Sequence, residues 1–314
     1  MNGHVLAIAL GNSLLWSVYL LLTRHVVSGA HLDAWAYTLV QLLSAGLAML
    51  WAGRRTRGNW RDLLAPWTIG YAFMRVVING STSAALVWLA VTQSTLVSTM
   101  SVLIGAAVAW ILTRHAPARR DWPGLLLLAI GVTAFTAALG SDTAWRGMLW
   151  LVLSETTGVA ASWVIAYHPR NRATDPAMRS RFTGEILVAA SLAFILVWSS
   201  AGAVGLMASP WAGGGDAFGR IDLWLYAILA GLLFRAPGTW LGFWTINTTG
   251  VQTYLIALTA MPFFAIALEA AAARLGWLAP PDLSTVEWLA AAIILVGAVW
   301  LIAVRLKAPS GAAP

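Results

Sequence analysis

Two arginines interrupt long apolar stretches of this chain. Arg75 lies in GYAFMRVVING (70–80) and Arg235 in AGLLFRAPGTW (230–240). A guanidinium presents planar paired donors, which suit a carboxylate or phosphate. Each arginine is followed one helical turn later by a hydrogen-bonding residue, Asn79 after Arg75 and Thr239 after Arg235. Thr82 extends the first stripe at i+7. Two such stripes converging on a cavity would clamp an anion. Glu155, inside LVLSETTGVA, offers the opposite charge. It could compensate one arginine or take up a coupling proton. Asn12, Trp16 and Tyr19 form a further stripe at i, i+4 and i+7, and Gln252 and Tyr254 sit near the start of a later apolar run. Polar stripes on membrane helices usually face the protein interior. Trp163 and Trp240 lie deep enough in their runs to line a pocket. These residues, Arg75, Asn79, Arg235, Thr239, Asn12, Trp16, Tyr19, Trp163, Trp240, Gln252 and Tyr254, are the candidate substrate contacts. Glu155 is the candidate for coupling or charge compensation.

The elements that must carry them are membrane helices. The chain is 60% hydrophobic and 10% charged, with mean hydropathy +0.76, whereas soluble domains average about 25% charged. A spanning helix needs about 20 apolar residues. Such runs fall at roughly 3–23, 34–52, 67–90, 94–113, 123–140, 147–167, 184–207, 222–245, 251–273 and 287–304. They are continuous rather than alternating, which excludes a β-barrel. The reading is an all-α polytopic membrane protein of ten transmembrane helices.

Loop charge gives an orientation. With the N-terminus cytoplasmic, the inner loops and tail hold 13 basic residues and the outer loops 4, leaving Arg75 and Arg235 within spans. The positive-inside rule then places both termini in the cytoplasm and the chain in the plasma (inner) membrane. The net charge of +7 is read as a topology signal, not as a nucleic-acid site. Many of the 19 tryptophans fall at span ends, among them Trp51, Trp67, Trp122, Trp145 and Trp288, where interfacial aromatic belts form.

The two halves echo each other. DWPGLLLLAIGVTA (121–134) lies over EWLAAAIILVGAVW (287–300), with Trp122 on Trp288 and Gly131 on Gly297. The third and eighth runs match through their arginines. Five helices per half is an odd number, so the second half is inverted relative to the first. Inverted repeats characterise secondary transporters, with the substrate site near midplane between the halves. The division expected is 1–140 and 141–314.

These features resemble the drug/metabolite transporter superfamily, EamA type. The likeness rests on the two fives, the cytoplasmic termini, the Gly131 and Gly297 helices, and LTAMPFFAIALEA (258–270), whose Pro262 and Glu269 are similar to a proline and terminal glutamate of the family. The first half departs from that pattern, with Gly105 and Arg114 or His115 at those places. The resemblance implies that helices 1, 3, 4, 6, 8 and 9 surround a central cavity and that helices 5 and 10 are peripheral.

The function expected is secondary transport of a small organic metabolite bearing a carboxylate or phosphate, such as an amino acid or organic acid, by alternating access. The alternative is export of amphipathic or cationic drugs, suggested by the deep tryptophans and Glu155. An intramembrane enzyme is remote. There is no HExxH, GxSxG or mid-span aspartate pair, and no phosphate loop for ATP. All five histidines (His4, His25, His31, His115 and His168) lie in or beside loops. No cysteine is present, so thiolate metal sites are excluded. No cofactor or metal is expected. The partners expected are the substrate, the lipid bilayer and a candidate coupling proton. Monomer and homodimer are both open.

Overall fold

The computed structural model describes residues 3–58, 60–140, 142–172, 175–203, 214–279 and 281–307, and every regular element among them is helical. Besides the short helical turns Trp60–Leu63 and Gly214–Gly219, the described residues form ten long helices, in chain order α1 (Gly3–Arg24, continued by a π-helical turn His25–Gly29), α2 (Ala34–Ala52), α3 (Pro66–Trp88), α4 (Val91–Thr113), α5 (Trp122–Ala138), α6 (Asp142–Tyr167), α7 (Pro176–Ala203), α8 (Ile221–Thr249), α9 (Val251–Arg274) and α10 (Thr285–Lys307). Eight are long and apolar enough to cross a membrane. The other two are α5, apolar but shorter, and α3, which has 23 residues and carries Arg75 and Asn79. The chain is a multi-pass membrane protein.

Helix starts follow local chemistry. The Asp33 carboxylate accepts from Ala36 N (2.6 Å) and caps α2. Pro66 opens α3, where its missing N–H costs nothing. Glu287 accepts from the Ser284 N–H (2.7 Å) and hydroxyl (2.8 Å) at the head of α10. Helix α7 begins at Pro176, earlier than the apolar run at 184, because Arg179 and Arg181 extend it with polar turns. Arg181 pairs with Glu185 one turn on (2.8 Å).

Three helix pairs pack most extensively: α5 with α10, α2 with α7, and α3 with α6. Glycine permits the first. A Cβ at Gly131 would lie 2.9 Å from Ile294 N, and one at Gly297 would lie 3.0 Å from the Gly124 carbonyl. Without lipid-facing hydrophobic drive, close backbone approach is what binds helices in a bilayer. Arg305 closes the pair on Asp121 (2.8 Å).

Both α4 and α9 are broken one third along. The segments are Val91–Ser98 and Met100–Thr113 in α4, and Val251–Leu258 and Met261–Arg274 in α9. Each break carries a threonine whose hydroxyl donates to the carbonyl three residues back, Thr99 to Leu96 (2.7 Å) and Thr259 to Ile256 (2.6 Å). Arg75 and Arg235, Val91 and Val251, and Thr99 and Thr259 are all 160 positions apart.

Candidate functional site

A cavity of about 170 Å³ lies at the centre of the bundle. Its lining comes from α1, α3, α4, α6, α8 and α9, and none of it from α2, α5, α7 or α10.

Arg75 rises from an unbroken stretch of α3. Its Nη2 donates to Thr239 Oγ1 on α8 (3.4 Å), and its guanidinium lies 5.9 Å from the Phe243 ring centre. Asn79 is buried and turns its amide back onto the Arg75 carbonyl. Arg235 is held differently. It ends a π-helical turn, Gly231–Arg235, in which Ala236 N–H reaches back to the Gly231 carbonyl. Pro237 follows at once, and its absent N–H together with its ring disfavours regular α geometry here. The π turn accommodates the mismatch, a device frequent at functional sites. Only glycine fits at position 231, because a Cβ would overlap Ser44 Oγ and the Gln41 carbonyl of α2. The result drives Arg235 inward to 3% exposure. Its guanidinium lies 4.8 Å from the Trp16 ring centre and 5.3 Å from that of Tyr19. Tyr19 is held in turn by its hydroxyl, which donates to Gln41 Oε1 (2.8 Å).

Among the described residues neither arginine has a carboxylate partner: the ion pairs lie elsewhere, at Arg24–Glu269, Arg170–Asp62, Arg181–Glu185, Arg220–Asp222 and Arg305–Asp121. Glu155 lines the same cavity, as do Ser98 and Ser101 at the α4 break. No ion pair joins Glu155 to Arg75 or Arg235 among the described residues. Four buried donors on the lining have no hydrogen-bond partner: Arg75 Nε, Arg235 Nε, Trp16 Nε1 and the Tyr71 hydroxyl. Such groups cost free energy unless a ligand or water satisfies them.

Of the residues singled out by sequence, Arg75, Asn79, Arg235, Thr239, Trp16, Tyr19, Tyr254 and Glu155 are brought together on the cavity. Four are not. Asn12 is buried beside Ser13, whose hydroxyl donates to the Ala257 carbonyl (2.9 Å), so this stretch of α1 packs against α9. Gln252 is turned to the Gly105 side of α4. Trp163 stacks on Tyr167, with centroids 6.0 Å apart. Trp240 is 40% exposed and borders a shallow cleft with Trp244 and Arg179, because its neighbour Thr239 takes the inward face. Residues beyond the candidate contacts also line the cavity: Tyr71, Ser98, Ser101, Ser154 and Phe243. Tyr71 was findable, one turn before Arg75 on the same face. Ser98 and Ser101 face inward only because α4 breaks at Thr99, for which the sequence has no proline or glycine mark.

Residues 3–137 match the model of the EamA-like transporter family. The match falls on the first five helices and is to a family of membrane transporters of the drug/metabolite type. One solved crystal structure is similar over 98% of this chain and 100% of its own, with a TM-score of 0.59 and 17% identity; at that identity the likeness concerns the fold alone. No curated protein matches.

Proposed function

We propose that the chain is a secondary active transporter of a small organic anion, carrying a carboxylate or phosphate, which it moves by alternating access between two inverted five-helix halves. One observation carries the reading: Arg75 and Arg235, from equivalent helices of the two halves, face one cavity with no carboxylate bonded to either among the described residues. Two neighbouring cations without carboxylate partners, Arg235 buried and Arg75 half-buried, are costly, and an anion bound between them removes that cost. The free donors of Trp16 and Tyr71 suit the same ligand. Ten spans are supported by the ten helices, once α3 is counted as a span whose polar face turns to the cavity. Inversion is supported by pairings that survive exchange of the halves. α5–α10 and α2–α7 each map onto themselves, while α3–α6 maps onto α8–α1.

The export of cationic drugs has one favouring observation, Glu155 beside the aromatic walls, but the two guanidinium groups would repel such a ligand. The two readings separate in a thermal-shift screen of the purified protein against carboxylates, phosphate esters and cationic dyes, since a ligand that binds only the folded state raises Tm. Stabilisation by anions that is lost in Arg75→Gln/Arg235→Gln supports the proposal. Stabilisation by dyes alone defeats it. Orientation is tested in the same cysteine-free chain. Cysteine at Arg57 should be shielded from an impermeant maleimide in intact cells, and cysteine at Asp216 should be labelled.

A further inference from the structure

Glu269 belongs to no part of the cavity, yet it is completely buried. It sits near the end of α9, in the second half, and reaches across to the first. Its Oε1 accepts from Val91 N (3.0 Å) and its Oε2 from Thr92 N (2.9 Å), so one carboxylate caps the head of α4. Arg24, the last residue of α1 proper, stands 3.8 Å from Oε1 through its Nε. The same guanidinium donates to the carbonyls of Leu86 and Leu89 at the end of α3. One charged pair therefore ties the ends of α1, α3 and α9 to the start of α4, across the boundary between the halves.

The repeat gives the other end of the α4–α9 pair as a control. At the 160-residue offset fixed by the two helix breaks, the counterpart of Val91 is Val251, at the head of α9, and the counterpart of Glu269 is Ala109 on α4 rather than the Arg114 or His115 expected from sequence. The methyl side chain of Ala109 cannot accept a hydrogen bond. The head of α9 has no side-chain cap at Gly250, and among the described residues no side chain accepts from the N–H of Val251 or Gln252. The pair is thus fastened at one end and unfastened at the other. The cavity follows this asymmetry. Toward the fastened end its lining stops at Leu20, Thr82 and Thr95, one turn or more short of the end of α1, the end of α3 and the head of α4. Toward the unfastened end it runs on to Tyr254, Ile246 and Ile165.

We infer that Glu269 and Arg24 form a latch that closes the cavity at the α1–α2 loop end, and that the missing partner at Ala109 leaves the opposite end the one that opens at rest. The inference rests on the alternating-access reading above. Passage of substrate then requires the Glu269 carboxylate to release the α4 head, and buried charge-assisted hydrogen bonds set the height of that step. Two substitutions act in opposite directions. Glu269→Gln weakens the existing latch. Ala109→Glu supplies the mirror latch at the far end.

The chain contains no cysteine, so single reporters are clean. Thr95→Cys and Ser162→Cys both line the cavity, and an impermeant maleimide is applied from each face in turn, in cells and in inverted vesicles. With the native latch, both reporters should react only from the face opposite the α1–α2 loop. Glu269→Gln should raise reaction of Thr95→Cys from the latch face about tenfold, the population shift expected from losing one charge-assisted hydrogen bond. Ala109→Glu should lower reaction of Ser162→Cys from the opposite face by a similar factor. Unchanged labelling in both folded variants overturns the latch. If Glu269→Gln does not reach the membrane, Ala109→Glu alone decides by the same criterion. Failure of either reporter to react from either face overturns the transport cavity itself, a different result from an unmoved latch.

Discussion

Arg75 and Arg235 hold the same register in the two halves, and the protein treats them differently. Arg75 sits on a regular helix, partly exposed to the cavity, with one weak bond to Thr239. Arg235 sits on a π turn, is nearly inaccessible, and lies against two aromatic rings. The two cations, 160 positions apart, stand in different environments. Arg235 is set in a drier place, where each charge interaction counts for more. Arg75 is left freer to reorient toward a ligand. The contrast implies a division of labour, with Arg235 supplying fixed positive potential and Arg75 a movable contact.

The largest test of that contrast is Arg235→Gln. It should weaken anion binding by about 100-fold, at the upper end of what a charge-assisted hydrogen bond contributes. It should not lower the Tm of the empty protein, because relief of an unpaired buried charge offsets the lost contacts with Trp16 and Tyr19. A fall in Tm that Glu155→Gln restores would instead make Arg235 a structural ion-pair partner. Next comes Arg75→Gln, for which about tenfold weaker binding is expected by isothermal titration. If Arg75→Gln outweighs Arg235→Gln, the division of labour is wrong. Thr239→Val removes the one hydrogen bond that, among the described residues, ties the Arg75 side chain to the other half. A loss of about 0.5–1.5 kcal/mol in binding is expected, by the same calorimetry, if that bond positions the guanidinium. The smallest effect is expected from Tyr19→Phe, which keeps the ring against Arg235 and deletes only the bond to Gln41. About 1 kcal/mol of stability should go, with affinity unmoved.

Much of this was legible in the sequence. Apolar run length located the helices, since a bilayer fixes how long a span must be. The stripe rule found Arg75, Asn79, Arg235 and Thr239, because residues four apart share a helical face. It failed at Asn12 and Gln252, where a polar residue on a packed face looks the same in sequence as one on a wet face. Trp240, chosen for its depth in an apolar run, lies off the cavity because adjacent residues on a helix point in different directions, and Thr239 has the inward one. The breaks in α4 and α9 were the main hidden feature. Only α9 carries a proline near its break, so α4 read as continuous, and Ser98 and Ser101 were passed over. Glu155 was found as a mid-span acid, but the serines that share the cavity wall with it depend on that unread break.

Those two breaks give the molecule a pair of short levers. Val91–Ser98 and Val251–Leu258 each have eight residues, about 12 Å of helix at 1.5 Å per residue. They belong to helices of opposite halves and start from opposite ends of the cavity under the inverted arrangement. A tilt of about 20° at the threonine would carry the tip of such a lever roughly 4 Å, given that length. That displacement is comparable to the width of a carboxylate or phosphate group. Each threonine hydroxyl already occupies a carbonyl at the pivot, so turning the lever exposes fewer unsatisfied backbone groups to the bilayer. Under the alternating-access proposal, passage then needs only two short arms to take turns, not whole helices to swing.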